Sequence, residues 1–348
     1  TNGGGLYNLR EAKITTYTTE NGLSHNNIYG IFQDTGGRVW AGTKGYGVNY
    51  FDSREQRFYT LTSRDGLSSD SVVTFAEDDA GRLWFGTLGG GLNRFTMGRI
   101  EIFDQRQGLD TNNFRAVYSD PDGGIWAGTI KGEIHILRDD RFTLLANVGF
   151  RVNTLYKDQG GFLWAGTFGN GLCRVNPEDG EVTVFDEKKG LYNNIVPWIF
   201  EDAKESLLLG TAKGINRFRA GKFTVLSQDQ GLPDDTIYWL LEDHRRDIWA
   251  SSNKGIFCLS RKEIDDFFQG TLPKVNPLVF GKEDGMRSIE CNGGNHPAGW
   301  KTRDGKLWFP TTFGVAVIDP ANIGVNKIPP PVVIEKIVAD GKTYAGNR

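Results

Sequence analysis

A short motif of the form Trp-x-Gly-Thr returns seven times along this chain of 348 residues. The copies are Trp40-Ala41-Gly42-Thr43, Trp84-Phe85-Gly86-Thr87, Trp126-Ala127-Gly128-Thr129, Trp164-Ala165-Gly166-Thr167, Leu208-Leu209-Gly210-Thr211, Trp249-Ala250-Ser251-Ser252 and Trp308-Phe309-Pro310-Thr311. Successive copies are 44, 42, 38, 44, 41 and 59 residues apart, a period typical of a propeller blade. The repeat predicts an all-β chain folded as a seven-bladed β-propeller, with four antiparallel strands per blade.

Composition and charge argue against several classes of partner. The formal net charge is −3 and no block of like charges stands out, so we expect neither nucleic acid nor an anionic membrane surface as a partner. No apolar run approaches the roughly 18 residues of a membrane-spanning helix. The three cysteines, Cys173, Cys258 and Cys291, form no Cys-x-x-Cys pair, and we interpret them as small buried side chains. We expect no metal and no cofactor.

A repeated carboxylate stands six residues before the motif in most copies. The six positions are Asp34, Asp78, Asp120, Asp158, Asp202 and Asp243. Carboxylates in register resemble a metal or catalytic ring, but an Asp that opens a tight turn caps its own backbone. We therefore interpret them as turn formers between the first and second strands of separate blades.

A second repeated signal precedes the first strand of most blades. It is present as Gly22-Leu23-Ser24, Gly66-Leu67-Ser68, Gly108-Leu109-Asp110, Gly190-Leu191-Tyr192 and Gly231-Leu232-Pro233, and the fourth repeat lacks it. These segments carry the chain from the outer strand of one blade to the inner strand of the next. They and the turns after Trp-x-Gly-Thr share one end of the ring, which we call the approach face, and loops are where specificity varies.

Two features concern the ends of the repeat series. The long last spacing predicts an insertion at about 260–285, where Ser260-Arg261-Lys262-Glu263 has the form of a capping box at the start of a short helix. Lys13 to Thr18 resembles the outer strands of other repeats, and no outer strand follows Val317. We predict that Lys13 to Thr18 completes the seventh blade and closes the ring, which removes an exposed sheet edge.

Three stretches resemble a known family, the two-component regulator propeller. They are the repeat unit from Gly22-Leu23-Ser24 to Gly47-Val48, the closing repeat from Asp284 to Thr311 with Glu290-Cys291-Asn292-Gly293-Gly294 within it, and the segment Pro329 to Lys342, which is similar to the opening of an Ig-like three-Tyr domain. The resemblance implies that residues 1–12 are the tail of a preceding repeat, 13–325 the propeller, and 326–348 a linker and first strand of the Ig-like domain.

The family resemblance also implies a function. It implies a non-catalytic ligand-sensing module, often for a carbohydrate, in the periplasmic part of an inner-membrane sensor whose output domain is a histidine kinase or a diguanylate cyclase. The implied partners are a small-molecule or oligosaccharide ligand, neighbouring propeller and Ig-like domains of the same chain, and a second copy in a homodimer.

Candidate ligand-binding residues are the irregular ones near the approach segments and inner strands. Aromatic faces mixed with amide and guanidinium donors suit sugar rings or anionic sugars. The candidates are His25, Tyr46, Asn112, Arg115, Arg151, Tyr192, Trp239, Lys254, Glu290, Asn292 and His296. None of them forms a catalytic motif, and we expect no catalytic residue.

Two alternatives remain open at the level of sequence. One is a propeller lyase of the streptogramin-inactivating type, which would need His25 or His296 close to a carboxylate such as Glu290 and a divalent cation near the axis. The other is a protein-interaction scaffold, which would show an exposed apolar patch of several hundred Å² at one end of the ring.

Overall fold

Four-stranded antiparallel sheets repeat along the chain, and all but one of them are built from strands that are consecutive in sequence. The structure is a computed structural model that describes residues 12–120, 122–202 and 206–323, together with the backbone of 336–339 and 342–345. Seven such sheets lie within these residues, so the predicted seven-bladed all-β propeller is confirmed. The expected preceding-repeat tail over 1–12 and the expected linker and Ig-like domain over 326–348 lie almost wholly outside the described residues.

Each blade runs from an inner strand beside the central axis to an outer strand at the rim. Blades 1 to 3 consist of Ile28–Gln33, Val39–Thr43, Val48–Asp52 and Arg57–Leu61; Val72–Glu77, Leu83–Thr87, Leu92–Thr96 and Arg99–Phe103; and Phe114–Ser119, Ile125–Thr129, Glu133–Arg138 and Arg141–Asn147. Blades 4 to 6 consist of Val152–Lys157, Leu163–Thr167, Leu172–Val175 and Val182–Phe185; Trp198–Asp202, Ser206–Thr211, Gly214–Arg219 and Lys222–Leu226; and Trp239–Glu242, Ile248–Ser252, Gly255–Leu259 and Leu278–Phe280.

The seventh blade joins the two ends of the ring. Its strands are Trp300–Lys301, Leu307–Thr311, Gly314–Ile318 and, from the other end of the chain, Ile14–Tyr17. Ile14 pairs with Ile318 and Tyr17 with Val315 in antiparallel register, so the predicted closure by an N-terminal outer strand is confirmed. A further hairpin of Lys336–Ala339 and Lys342–Ala345 follows the propeller in sequence.

Short 3-10 turns lead out of the outer strands into the approach segments. They span Thr19–Asn21, Ser63–Asp65, Gln105–Gln107, Glu187–Lys189, Gln228–Gln230, Lys282–Asp284 and, after the last strand, Pro320–Asn322. In the first six, the glycine that follows has a φ between 91° and 113°, as at Gly22 and Gly285, which explains the glycine of the repeated Gly-Leu signal. Among the described helices none is both long and apolar enough to cross a membrane.

The repeated Trp and the repeated Asp act together. In five blades the indole Nε1 donates a hydrogen bond to the Asp six residues earlier, with N to O distances between 2.6 and 3.4 Å. Trp84 shows the pattern: it is fully buried, its ring packs against Phe103, and its Nε1 lies 2.9 Å from Asp78 Oδ2. The Asp therefore forms its turn and also satisfies a donor that would otherwise be buried without a partner.

Blade 5, which carries Leu208 in place of Trp, is filled by another element. A sequence argument predicts looser packing here, but Leu208 is only 1% exposed and belongs to a cluster joined by Ile264 of the one α-helix described, Arg261–Phe268. Asp202, which has no indole to accept from, has Arg261 Nη2 at 3.6 Å. The helical insertion thus supplies apolar volume to this blade, and its Arg261 joins Arg217 of the blade itself, whose Nη2 lies 3.9 Å from Asp202 Oδ2.

Candidate functional site

The two ends of the ring are chemically different. The approach face carries the segments between blades and the turns after Trp-x-Gly-Thr, while the opposite end, here called the turn face, carries the Asp-Gly turns after the inner strands. Nine of the eleven predicted site residues lie on the approach face or at its channel mouth, namely His25, Tyr46, Asn112, Arg115, Arg151, Tyr192, Lys254, Glu290 and Asn292. Trp239 and His296 instead line a cavity that opens on the turn face.

An irregular segment of the closing repeat, residues 291–299, plugs the central channel. It replaces most of an inner strand, since the seventh blade retains only Trp300–Lys301 in that position. Asn292 anchors one end, because its Nδ2 donates to the Ile28 carbonyl at 2.6 Å and to the Thr311 carbonyl at 3.1 Å. The predicted site residue Asn292 therefore uses its amide to hold the plug against the first and seventh blades.

The rest of the plug pairs with the free edges of the inner strands. Ile31 N donates to the Pro297 carbonyl and Phe75 N to the His296 carbonyl, both at 3.2 Å, while His296 N donates to the Arg115 carbonyl at 3.3 Å. Inner strands present unpaired backbone groups to the channel, and such groups are costly to bury without partners. The plug satisfies several of these groups in blades 1 to 3 and separates the two mouths of the channel.

A cavity of about 1030 Å³ lies on the turn face above this plug. Its floor and walls are mainly apolar and aromatic: Phe32, Phe75, Val117, Tyr118, Trp239, His296, Pro297 and Trp300. Trp239 meets His296 edge-on at a ring-centroid distance of 5.4 Å, and Trp300 lies 4.5 Å from Phe32. Concave, aromatic-lined cavities of this size are the usual sites of small-molecule binding.

Two polar groups stand at the base of this turn-face cavity. The Nε1 of Trp239 is buried and has no hydrogen-bond partner among the described residues. His296 bonds the Thr154 hydroxyl through Nδ1 at 2.8 Å, which leaves Nε2 as the ring nitrogen open to a ligand. Burial lowers the pKa of His296 to about 4, so its ring is neutral near pH 7. The Nε1 donor of Trp239 and the imidazole of His296 thus lie at the aromatic floor of the cavity.

The rim of the turn-face cavity is polar and of mixed charge. Glu77, Asp304 and Asp319 contribute carboxylates, while Lys301 and Arg303 contribute cations. The Glu77 carboxylate accepts from Thr35 N at 2.7 Å, which ties the rims of blades 1 and 2 together. Because carboxylates outnumber cations on this rim, it favours a neutral polar ligand over a strongly anionic one.

The buried imidazole of His296 predicts a specific acid sensitivity. The pKa of His296 is about 4 in the folded state against about 6.5 when unfolded, so the unfolded chain takes up the proton first as pH falls. The contribution of neutral His296 to the free energy of unfolding is therefore retained above about pH 6.5. As the pH falls from about 6.5 to 4, the free energy of unfolding decreases by at most about 3 kcal/mol on this account. Urea unfolding at pH 7 and pH 4.5 should show a smaller loss for His296→Gln than for the wild type.

Other groups also titrate in this range, so the comparison needs a matched variant. His244 is exposed on the same face, and His244→Gln should leave the pH dependence of unfolding as it is in the wild type. An equal loss of stability for His296→Gln and wild type would contradict the neutral, enclosed state of His296.

On the approach face the predicted residues form separate pairs. His25 stacks on Tyr46 with ring centroids 4.2 Å apart, and the guanidinium of Arg151 lies 3.9 Å above the Phe168 ring. Tyr192, Lys254 and Glu290 are exposed at other points of the same face. No ion pair joins His25 or His296 to Glu290 in the part of the chain that the structure describes. The lyase alternative also needs a bound cation, and among the described residues no group of three or more His, Cys, Asp or Glu side chains could hold a metal ion.

Exposed apolar side chains are concentrated on the approach face. Seven of the twelve large apolar side chains that are exposed among the described residues lie here: Tyr46, Ile130, Phe150, Phe168, Tyr192, Ile289 and Phe313. Scattered exposed apolar residues are ordinary, but concentration at one end of a ring is a feature of contact surfaces.

Sequence reasoning missed three parts of the turn-face cavity. Phe32, Tyr118 and Trp300 are inner-strand residues near the Asp turns, and no irregularity in the repeat distinguishes them. A detectable signal was present in Gly293-Gly294-Asn295-His296-Pro297, because glycine and proline so close together are incompatible with a regular inner strand. That signal predicts the plug, and the plug makes the cavity floor.

Comparison with known families supports the repeat assignment. A sequence model described as the two-component regulator propeller matches residues 22–45, 66–89 and 108–131, which contain the Gly-Leu signal and the Trp-x-Gly-Thr motif of the first three blades. A search of curated protein sequences finds no match.

Solved structures share the whole architecture. The extracellular domain of the putative hybrid two-component system BT3049 from B. thetaiotaomicron matches with a TM-score of 0.77 and 25% identity, over 95% of this chain and 44% of that one. The extracellular domain of the putative hybrid two-component system BT4673 from the same organism matches with a TM-score of 0.68 and 14% identity, over 88% of this chain and 40% of that one. This chain therefore spans less than half the length of either domain.

A lyase shares the fold at lower similarity. Virginiamycin B lyase from Staphylococcus aureus matches with a TM-score of 0.66 and 17% identity, over 88% of this chain and 99% of that one. Similarity at this level of identity concerns the propeller architecture alone, and catalysis has to be argued from residues.

Proposed function

We propose that this chain, a propeller carrying two-component regulator repeats, is the ligand-sensing module of a two-component signalling protein. The observation that carries the proposal is the aromatic cavity of about 1030 Å³ on the turn face, closed below by the plug of residues 291–299. The similarity to extracellular domains of hybrid two-component systems supports the signalling context.

The ligand class that this cavity suits is a carbohydrate. Trp239 and Trp300 offer flat apolar faces for sugar rings, and the indole Nε1 of Trp239 and the Nε2 of His296 offer fixed hydrogen-bonding groups. A neutral oligosaccharide also matches a rim on which carboxylates and cations are mixed. In this proposal the module binds the saccharide and leaves it chemically unchanged.

Signalling requires that the ligand bind one arrangement of the protein better than another. In the full protein we place this module in the periplasm, anchored through an inner-membrane sensor whose cytoplasmic output domain is a histidine kinase or diguanylate cyclase. Ligand in the cavity changes the arrangement of the propeller relative to its neighbouring domains and to a second copy in a dimer. The changed contacts with the neighbouring domains and with the second copy alter the activity of the output domain.

A thermal-shift screen tests this proposal. The purified chain is melted with a panel of defined neutral oligosaccharides, and at least one should raise the melting temperature by several degrees. A ligand at 100 times its Kd stabilises the fold by about 2.7 kcal/mol. Trp300→Ala removes a cavity wall and should weaken the same ligand at least tenfold.

Phe313→Ala is the matched control, because Phe313 is 47% exposed on the approach face and is also an aromatic side chain. It should bind the saccharide as the wild type does. If no neutral saccharide shifts the melting temperature, or if the two variants weaken binding equally, the proposal that the cavity is a saccharide site is wrong.

The exposed apolar side chains of the approach face favour a second candidate function, a scaffold for a protein partner. The occupant that fits is another domain of the same protein, since the matched extracellular domains are more than twice as long as the part this chain covers. The scaffold alone is supported if no saccharide binds while Phe313→Ala weakens association with such a domain.

A further inference from the structure

The approach-face mouth of the channel contains a second group of polar side chains that the saccharide cavity does not use. Register shifts occur in the inner strands of blades 1 to 4, between Ile28 and Gly30, Val72 and Thr74, Phe114 and Ala116, and Val152 and Thr154. A bulge of this kind turns the extra side chain away from its usual direction. The bulge residues of blades 3 and 4 are Arg115 and Asn153.

Arg115 is held in the channel by a neutral partner. Its Nη1 donates to Asn295 Oδ1 of the plug at 2.8 Å, and its buried Nε finds no hydrogen-bond partner in the part of the chain that the structure describes. Burial lowers the pKa of Arg115. Burying a guanidinium is costly unless an opposite charge lies nearby, and none of the described carboxylates lies within 4.0 Å of it.

Arg151, from the next blade, is the second cation. Its Nε donates to Asn153 Oδ1 at 3.1 Å, and its plane stacks on Phe168 at 3.9 Å, so its orientation is fixed. Burial and then the neighbouring charge of Arg115 lower the pKa of Arg151 to about 10. The inner strands Phe114–Ser119 and Val152–Lys157, in or beside which the two arginines lie, contact each other as neighbours in the ring, and this places the two cations on adjacent blades.

An amide donor without a partner completes the group. Asn153 is fully buried, and its Nδ2 has no hydrogen-bond partner among the described residues. The group therefore offers hydrogen-bond donors alone. They are the guanidiniums of Arg115 and Arg151, including the unpaired Nε of Arg115, and the unpaired amide N–H of Asn153. Planar guanidinium forks match the oxygens of carboxylate, sulfate and phosphate groups.

We propose that Arg115, Arg151 and Asn153 form an oxyanion-binding site at the approach-face mouth of the channel, separate from the aromatic cavity. Its ligand is the carboxylate or sulfate group of a small molecule. The bound anion neutralises two cations that the fold leaves without counter-charge, and it accepts the free N–H groups. Because the plug residue Asn295 is bonded to Arg115 and precedes His296 in the cavity floor, anion binding acts on the same segment that closes the cavity.

Titration calorimetry with three probes tests the site: D-glucuronate, inorganic sulfate and neutral D-glucose. Glucuronate or sulfate should bind at least tenfold more tightly than glucose, and the difference should shrink as sodium chloride is raised. The stronger of the two anions identifies the group that the site takes. Arg151→Gln should weaken the anion at least tenfold, and Arg151→Lys should recover only part of the loss, since an ammonium lacks the planar fork.

Arg54→Gln is the matched control, because Arg54 is an exposed arginine in the turn between the third and fourth strands of blade 1, outside both sites. It should leave anion affinity unchanged, as should Trp300→Ala in the cavity. Failure of this site is therefore distinguishable from failure of the saccharide cavity. Equal affinity for all three probes, or full binding by Arg151→Gln with an unchanged melting temperature, would overturn the proposal.

Discussion

Replacing Trp84 by alanine is expected to lower the free energy of unfolding by about 4 kcal/mol. The side chain is fully buried, with the ring of Phe103 at 5.0 Å and that of Phe142 at 6.1 Å. Large-to-small changes of buried aromatic residues cost about 3 to 5 kcal/mol, since they lose transfer free energy and leave a cavity. Urea unfolding followed by circular dichroism measures the change.

Two further variants separate packing from hydrogen bonding at this position. Burial raises the pKa of Asp78, but hydrogen bonds from Trp84 and Arg82 outweigh it, so the pKa ends below its ordinary value. Asp78→Asn keeps the indole packed and weakens its acceptor, and should cost about 1 to 2 kcal/mol. Trp84 belongs to a buried cluster that contains residues of blades 2 and 3, and Trp84→Ala costing no more than Asp78→Asn would contradict its role in packing these blades together.

Closure of the ring by the N-terminal strand makes the second large prediction. Ile14 is 1% exposed and packs with Trp249, Phe280 and Ile318, so it joins the sixth and seventh blades. Ile14→Ala should lower the free energy of unfolding by roughly 2 to 4 kcal/mol. Hydrogen exchange should also quicken in Gly314–Ile318, the strand that would lose its partner.

Thr15 is the control for this second prediction, because it lies in the same strand with its side chain exposed. Thr15→Ala should change the free energy of unfolding by no more than about 0.5 kcal/mol. Similar effects of the two substitutions, or unchanged exchange in Gly314–Ile318, would argue that the ring does not depend on this strand.

The fold could be predicted from the sequence because the determinants repeat. Most blades carry their own turn-forming Asp and Gly and their own Trp, so one unit explains the next. The hydrogen bond from Trp to Asp was not foreseen, although their constant spacing of six residues was visible. Blade 7 shows the effect of losing the Asp: Thr302 stands in its place, and the buried Trp308 Nε1 has no hydrogen-bond partner within the described ranges.

The site was harder to predict because it depends on what breaks the repeat. Trp239 and His296 were singled out, but they were expected beside residues of the approach face and instead line the turn-face cavity. The reason is physical: residues 291–299 cross the channel, so consecutive plug residues face different mouths. Asn295 contacts Arg115, while His296 lies in the cavity floor.

The packing of one blade can also depend on residues that lie far away in the sequence. Leu208 predicts a gap in blade 5, yet Ile264 of the inserted helix fills it from 56 residues further along the chain. The sequence of the fifth repeat alone does not reveal that this gap is filled, because the helix that fills it belongs to the insertion between the sixth and seventh copies of the motif.

The central claim is that the turn-face cavity binds one saccharide per chain and leaves it chemically intact. Its most direct test is calorimetric titration of the chain with the saccharide that shifts its melting temperature, followed by mass analysis of the recovered sugar. The account predicts one binding site per chain, loss of at least tenfold in affinity for Trp300→Ala, and a sugar of unchanged mass. Cleavage of the sugar during incubation, or binding that Trp300→Ala leaves untouched, would contradict it.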